Sequence, residues 1–176
     1  MTVCIFGGSG DNVDTKYIDA CFALGKAVGT CGATLLYGGG TGGCMAAAAR
    51  GSIAVGGKVI AVAVDSIEGT DVPPGDTVTV VVTKNIDERK EKMQADTDVY
   101  VALPGGTGTL DEFFSTLTAI ECGFLRGKIV LFNAYGFYDT LIQWLRESTE
   151  RGFVRDRVWQ AFTVCDTVQD IQKLLF

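Results

Sequence analysis

The chain has 176 residues, 47% of them apolar and 20% charged, which suits one compact domain with an ample core and not a disordered or fibrous chain. A formal net charge of −6 argues against nucleic acid or an anionic membrane as partner, because both need broad basic surfaces. There is no histidine, which removes Ser-His and Cys-His triads and leaves acid–base chemistry to carboxylates, Lys, Tyr or Cys.

Thr2 to Phe6 is a β-branched, apolar run ending in Gly7-Gly8-Ser9-Gly10, and Asp14 to Thr30 carries helix-spaced apolar residues. The apolar part of MTVCIFGGSG is too short for a signal peptide, and no run approaches the roughly 20 apolar residues of a membrane span. A soluble, cytoplasmic protein is expected. The GGSG loop is either an ordinary strand-to-helix turn or a place where N–H groups and the Ser9 hydroxyl meet a ligand. Ala33 to Tyr37 reads as a second strand, and Gly38 to Gly43 leads into the alanine-rich Cys44 to Val55. No ribose-binding acid follows at the spacing of a dinucleotide fingerprint, and Ala46 to Ala49 point to close helix-to-sheet packing.

Lys58 to Val64 is a third strand with the apolar look of a central parallel sheet. Asp65 to Asp76, with Pro73, Pro74 and two glycines, reads as a surface loop or partial lid, and Thr77 to Thr83 as a fourth strand. In NIDERKEKMQAD, Ile86, Arg89 and Met93 fall at i, i+3 and i+7, so a helix points Arg89 toward the protein with its apolar anchors. The ERKEK run also fits a solvated helix face of loose pairs. Arg89 fits that pattern least, since it offers fixed, permanently charged donors to a phosphate or a carboxylate.

Thr97 to Leu103 is a fifth strand and runs into PGGTGTLDE, Pro104 to Glu112, at the end of the strand where open parallel sheets place ligands. Converging glycine N–H groups, the helix N-terminus and the Thr107 and Thr109 hydroxyls suit phosphate. A tight turn that needs glycine only for steric reasons is the alternative. Beyond Gly108, Phe113, Leu117, Ile120 and Phe124 form the expected core face, and Glu112, Ser115, Thr116 and Ala119 a more polar stripe. Glu112 falls in the first helical turn, either as a partner of the helix dipole or as a carboxylate reaching a sugar or a water. Its neighbour Asp111 is a helix-start residue or a second acid.

Lys128 to Phe132 is a sixth strand, followed by a helix over Phe137 to Thr149 with Phe137, Leu141, Trp144 and Leu145 as its apolar face. A short seventh strand is expected around Ala161 to Val164. Thr167 to Leu175 closes the chain as a helix with Val168, Ile171, Leu174 and Leu175 inward. Cys4, Cys21, Cys31, Cys44, Cys122 and Cys165 stand singly in apolar contexts without zinc-site spacing, as reduced core residues do. The alternation gives an α/β fold: a single-domain, Rossmann-like, doubly wound parallel sheet of about six to seven strands flanked by helices, with right-handed crossovers, over residues 1–176.

ERKEKM at Glu88 to Met93, taken with PGGTGTLDE, resembles the Lonely Guy family of cytokinin riboside 5′-monophosphate phosphoribohydrolases, often labelled "possible lysine decarboxylase". The likeness continues through GGSG, YGGGTGGCM at Tyr37 to Met45, and GFYDTLIQWLRESTERGFV at Gly136 to Val154. It implies a domain that binds a nucleoside monophosphate such as AMP, with or without an N6-prenyl group, and hydrolyses its N-glycosidic bond to free base and ribose 5-phosphate. Arg89 and Glu112 would then be the catalytic pair and Gly105, Gly106, Thr107, Gly108 and Thr109 the phosphate cradle. Gly8, Ser9, Gly39, Gly40 and Thr41 would line the rest of the pocket.

That scheme requires no metal and no organic cofactor, and nothing in the sequence marks the lysine and acid that a pyridoxal phosphate decarboxylase needs. The resemblance also implies a homodimer with the active site completed near the interface. Phe113, Phe114, Phe124, Phe137 and Trp144 either supply more aromatic surface than one helical layer needs or are mostly ordinary core. Two departures stand out: Ile86-Asp87 replaces the family's usual Met-His, and Thr41 to Met45 replaces its common Val-Gly-Leu-Met wording. The first bears on base or side-chain specificity more than on the reaction. Two other functions use the same scaffold: a molybdenum cofactor carrier, which this chain resembles less around Arg89 and Glu112, and a broader salvage nucleosidase.

Overall fold

The inner strands of this chain are apolar on both faces, so they belong between two helical layers. In the computed structural model, which describes residues 1–65 and 72–175, the strands are β1 (Thr2–Phe6), β2 (Thr34–Tyr37), β3 (Val59–Val64), β4 (Val78–Thr83), β5 (Val99–Ala102), β6 (Lys128–Phe132) and β7 (Phe162–Cys165). They form one all-parallel sheet in the order β4-β3-β2-β1-β5-β6-β7. The helices are α1 (Thr15–Thr30), α2 (Gly43–Ile53), α3 (Ile86–Gln94), α4 (Thr107–Glu121), α5 (Asp139–Glu150), α6 (Val158–Ala161) and α7 (Val168–Leu175). The doubly wound expectation holds. Among the described residues, no helix is long and apolar enough to cross a membrane.

Successive side chains go to opposite faces of a strand, and the two cores divide accordingly. Val3, Ile5, Leu35, Tyr37 and Val101 join the core that includes Cys21, Leu24, Val28 and Ile171 of α1 and α7. Cys4, Phe6, Leu36 and Tyr100 join the one that includes Met93, Phe113 and Leu145 of α3, α4 and α5. The chain winds outward from β1 to β4, then crosses back to β5 on the other side of β1. Loops leaving β1 and β5 therefore diverge to opposite faces and open a crevice at the strands' C-terminal ends.

Several local expectations need correction. Ala46 to Ala49 are buried as anticipated, but the close approach is helix to helix as well. A Cβ on Gly25 would collide with the Ala48 carbonyl, and one on Gly51 with the Phe22 carbonyl, so α1 and α2 touch backbone to backbone. The helix after β6 starts at Asp139 and buries Ile142, Leu145 and Ser148. Phe137 precedes it and Trp144 lies one residue off the buried row, leaving them 40% and 55% exposed. Phe124, 84% exposed, follows the end of α4 and is not part of its core face.

Cys4, Cys21, Cys44 and Cys165 are buried, whereas Cys31 and Cys122 are exposed because they cap the C-terminal ends of α1 and α4. α4 begins at Thr107, which moves Glu112 from the first helical turn to the second. Its "polar stripe" turns inward: Glu112 and Thr116 are buried, and Thr116 Oγ1 accepts a hydrogen bond from Gln94 Nε2 at 3.0 Å. Of the expected loop Asp65 to Asp76, residues 66–71 lie outside the described residues; Pro73 is buried.

Candidate active site

The crevice between β1 and β5 holds a cleft of about 770 Å³, within the range of small-ligand pockets. Three glycine turns form its floor, each at the C-terminal end of a strand: Gly7 to Gly10 after β1, Gly38 to Gly40 after β2, and Pro104 to Gly106 after β5. Backbone hydrogen bonds tie the first of these turns to the third and to the start of α2. Gly8 N–H donates to the Pro104 carbonyl at 3.1 Å, and Met45 N–H donates to the Gly8 carbonyl at 3.2 Å. Gly39 and Gly40 have φ of 80° and 88°, which a side chain would strain.

α4 starts at the cleft. Its N-cap is Gly106, and no side chain caps its first N–H groups, so Thr107, Gly108 and Thr109 bring the positive end of the helix dipole to the cleft wall. Gly105 is forced by packing, since a Cβ there would run into Thr109 Oγ1 and the Gly8 backbone nitrogen. Gly105→Ala is therefore expected to cost about 1–3 kcal/mol, read as a melting midpoint lowered by roughly 2–4 °C per kcal/mol.

α3 brings the cation. Asn85 Oδ1 accepts from Glu88 N–H at 2.9 Å while Glu88 Oε2 accepts from Lys84 N–H at 2.9 Å, fixing the helix start. Arg89, one residue on, is gripped from three sides. Its Nε donates to the carbonyls of Gly38 at 3.3 Å and Val62 at 3.2 Å, and its Nη1 donates to Glu112 Oε1 at 2.8 Å. Gly38 has no side chain because the guanidinium occupies that space. Arg89 thus faces the protein, as its helical spacing predicts. Ile86, by contrast, is not an anchor but half-exposed at the cleft rim.

The ion pair is buried, with side chains 16% and 9% exposed for Arg89 and Glu112. Burial pushes the Glu112 carboxyl above the ordinary glutamate range, and the attraction and hydrogen bond of Arg89 work against that shift. Alongside lies a second, more exposed pair, Lys90 Nζ to Asp111 Oδ2 at 3.1 Å, so Asp111 is a tie between α3 and α4. Below both, Gln94 and Thr116 make a third tie.

Gly8, Ser9, Gly39, Gly40, Arg89, Gly105 to Thr109 and Glu112 all line this one cleft. Thr41 does not; it is exposed, and its carbonyl accepts from Arg50 Nη1 at 2.9 Å. Sequence reasoning missed the opposite wall, formed by Val13, Tyr17, Met45 and Phe137, with Tyr17 edge-on to Phe137 at 5.4 Å. These residues come from three separate segments, so no spacing announced them. Among the described residues no group of three or more Cys, Asp or Glu side chains could hold a metal ion.

Fold and cleft together define a doubly wound α/β protein that presents glycine turns and a buried arginine–glutamate pair at the topological switch point. The chain belongs to the Lonely Guy family, described as "possible lysine decarboxylase", which it matches over residues 45–175. A rice protein described as a probable cytokinin riboside 5′-monophosphate phosphoribohydrolase is 30% identical over 173 residues, 98% of this chain and 82% of that protein. A cytokinin riboside 5′-monophosphate phosphoribohydrolase from Arabidopsis thaliana is 29% identical over 174 residues, 98% and 80% of the two chains.

Among solved structures, the molybdenum cofactor binding protein of Rippkaea orientalis superposes with a TM-score of 0.70 at 19% identity, covering 99% of this chain and 94% of that one. The molybdenum cofactor carrier protein of Chlamydomonas reinhardtii gives 0.68 at 20% identity, with the same coverage. These two likenesses carry the fold alone. The family's descriptive label fits the cleft poorly. A pyridoxal phosphate decarboxylase needs a lysine free to form a Schiff base and an acid for the ring nitrogen. Lys90, the one lysine among the lining residues, is held by Asp111, and Glu112 is held by Arg89.

Proposed function

We propose that the protein hydrolyses the N-glycosidic bond of a nucleoside 5′-monophosphate, releasing free base and ribose 5-phosphate. The observation that carries this reading is the buried Arg89–Glu112 pair beside an uncapped, glycine-led helix N-terminus in one cleft. The phosphoribohydrolase names of the rice and Arabidopsis relatives support it.

In the proposed reaction the 5′-phosphate sits against Gly105 to Thr109, with Gly8 and Ser9 on the facing turn. Glu112 lies five residues beyond Thr107, about 7.5 Å along the helix axis, a span that a ribose bridges between its 5′-phosphate and C1′. The C1′–N bond breaks with its electron pair going to the base, and positive charge develops on the ribose as an oxocarbenium-like centre. The Glu112 carboxylate opposes that charge, orients a water toward C1′ and takes its proton, while the departing base is protonated from solvent. Arg89 keeps Glu112 ionised and in place, and the bound phosphate supplies the anchoring that aligns water and bond.

The base would meet the wall of Val13, Tyr17, Met45 and Phe137 or the rim at Ile86, where the chain departs from its family's wording. Chromatography after incubation with AMP and with prenylated AMP tests the reading. Free base is expected, and its absence across a panel of nucleoside monophosphates would sink the proposal. A pterin absorbance co-purifying with an inactive protein would support a cofactor carrier instead.

The pH dependence follows from Glu112. Its carboxyl is raised by burial, so the active ionised form is lost on acidification at a pH above the ordinary glutamate range. The acid limb of kcat/KM is expected there. A limb at or below the ordinary glutamate value in the native protein would contradict the assignment.

A further inference from the structure

The hydroxyl of Tyr138 has no part in the proposed reaction, yet it makes a short hydrogen bond behind the glycine turn that follows β5. Tyr138 Oη donates to the carbonyl of Leu103, the residue that leads into Pro104 to Gly106, at 2.6 Å. The Gly105 backbone N–H reaches the same oxygen. Burial is the largest influence on this phenol and pushes it well above the ordinary tyrosine range, and the Gly105 bond works the other way. The hydroxyl therefore keeps its proton and remains a donor to Leu103. One side-chain oxygen thus holds the backbone on both sides of Pro104. From the β1 side, Gly8 N–H donates to the Pro104 carbonyl at 3.1 Å, and the Phe6 carbonyl accepts from Leu103 N–H at 2.8 Å.

Tyr138 is itself firmly anchored. It is buried, and its N–H donates to Asn133 Oδ1 at 2.7 Å. Asn133, buried just past the end of β6, donates from Nδ2 to Asp139 Oδ1 at 2.8 Å and Asp166 Oδ1 at 3.0 Å, and from its N–H to the Cys165 carbonyl at 2.8 Å. The ends of β6 and β7 and the start of α5 are joined through it, and Tyr138 carries that frame to the turn after β5. Its neighbour Phe137 stands edge-on to the Tyr138 ring at 4.8 Å and belongs to the cleft wall, whereas Tyr138 does not line the cleft. A buried tyrosine needs a partner for its hydroxyl, and any carbonyl would meet that need. Here the partners are two backbone groups of the turn itself.

We propose that Tyr138 is a positioning residue for phosphate: its hydroxyl sets the turn from Leu103 to Gly105 so that the N–H groups entering α4 converge on the substrate's 5′-phosphate. The inference rests on the proposed nucleoside monophosphate site and adds to it a residue that acts without touching the ligand. Tyr138→Phe keeps the ring and removes the donor. Titration with ribose 5-phosphate, which the proposed reaction does not consume, is expected to give a Kd about ten-fold above native, and the ratio of kcat/KM for AMP to that for adenosine should fall by a similar factor. The melting midpoint should drop by only about 5 °C, as for one buried carbonyl left without its donor. Replacing Tyr138 by 4-aminophenylalanine, which restores a donor at the same place, should recover most of both losses.

A Tyr138→Phe chain that binds ribose 5-phosphate as native does and keeps the native ratio overturns the proposal and leaves the hydrolase reading standing. So does a loss of AMP and adenosine cleavage in equal proportion with ribose 5-phosphate binding unchanged, the mark of a merely structural role. If native protein cleaves no nucleoside monophosphate, the hydrolase reading fails instead, and the ribose 5-phosphate titration still decides the role of Tyr138.

Discussion

Glu112→Gln is expected to lower kcat on a nucleoside monophosphate by about 10²–10⁴-fold, the usual contribution of a positioned general base, while AMP still binds within a few-fold of native. The substitution keeps the shape of the side chain and an oxygen that can accept from Arg89 Nη1, now 2.8 Å from Glu112 Oε1. It removes the negative charge proposed to oppose the oxocarbenium-like centre and the basicity proposed to take the proton from water. The groups proposed to hold phosphate lie one turn earlier, at Thr107 to Thr109, and are untouched.

Stability should hardly move in this variant. Because burial raises the Glu112 carboxyl, the folded chain binds that proton more tightly than the unfolded chain does. Its contribution to stability is then largest at low pH and falls as pH rises through the raised value. At neutral pH a neutral amide escapes that desolvation, which offsets the counter-charge Arg89 loses. A melting midpoint within about 4 °C of native is expected, roughly 1 kcal/mol for a chain of this size. Normal turnover with intact folding would remove Glu112 from the mechanism.

Arg89→Met is expected to damage both fold and activity. It removes the donors to the Gly38 and Val62 carbonyls and strands a carboxylate whose side chain is only 9% exposed. Breaking one partner out of a buried pair costs about 3–5 kcal/mol, so thermal denaturation should show a midpoint lower by roughly 10 °C. Arg89→Lys should rescue little, since a point charge cannot bond two carbonyls and a carboxylate in the fixed fork that a guanidinium provides. Combining Arg89→Met with Glu112→Gln should recover part of the lost stability, because the second change removes the stranded charge. Activity would stay lost. If the double variant melts lower than Arg89→Met alone, the pair is not coupled as described.

The fold was legible because its punctuation is strong: β1, β2 and β5 each run into a glycine turn followed by a helical period, and the remaining apolar runs stop at polar residues. Arg89 was legible from three residues at i, i+3 and i+7, although only Arg89 and Met93 turn inward. Partnership between Arg89 and Glu112 was not readable from spacing, since it depends on α3 and α4 lying on the same face of the sheet. That in turn follows from both crossovers running toward β7. The aromatic wall and the tie from Lys90 to Asp111 were hidden for the same reason. Periodicity also failed at helix ends, where Phe124 and Phe137 lie just outside α4 and α5 and no longer follow the helical face. At Gly105 the structure shows the steric need that was the alternative reading of the turn, and no reading reached Gly38, whose missing side chain makes room for the guanidinium.

The most direct measurement of the central claim compares AMP with adenosine as substrates for the native protein, with base and sugar products both identified. The proposed phosphate site predicts adenine and ribose 5-phosphate from AMP, and cleavage of adenosine slower by about 100-fold or more, since binding at the phosphate helps align bond and water at the ribose. Equal cleavage of the two, or no adenine from either AMP or its prenylated form, would contradict it.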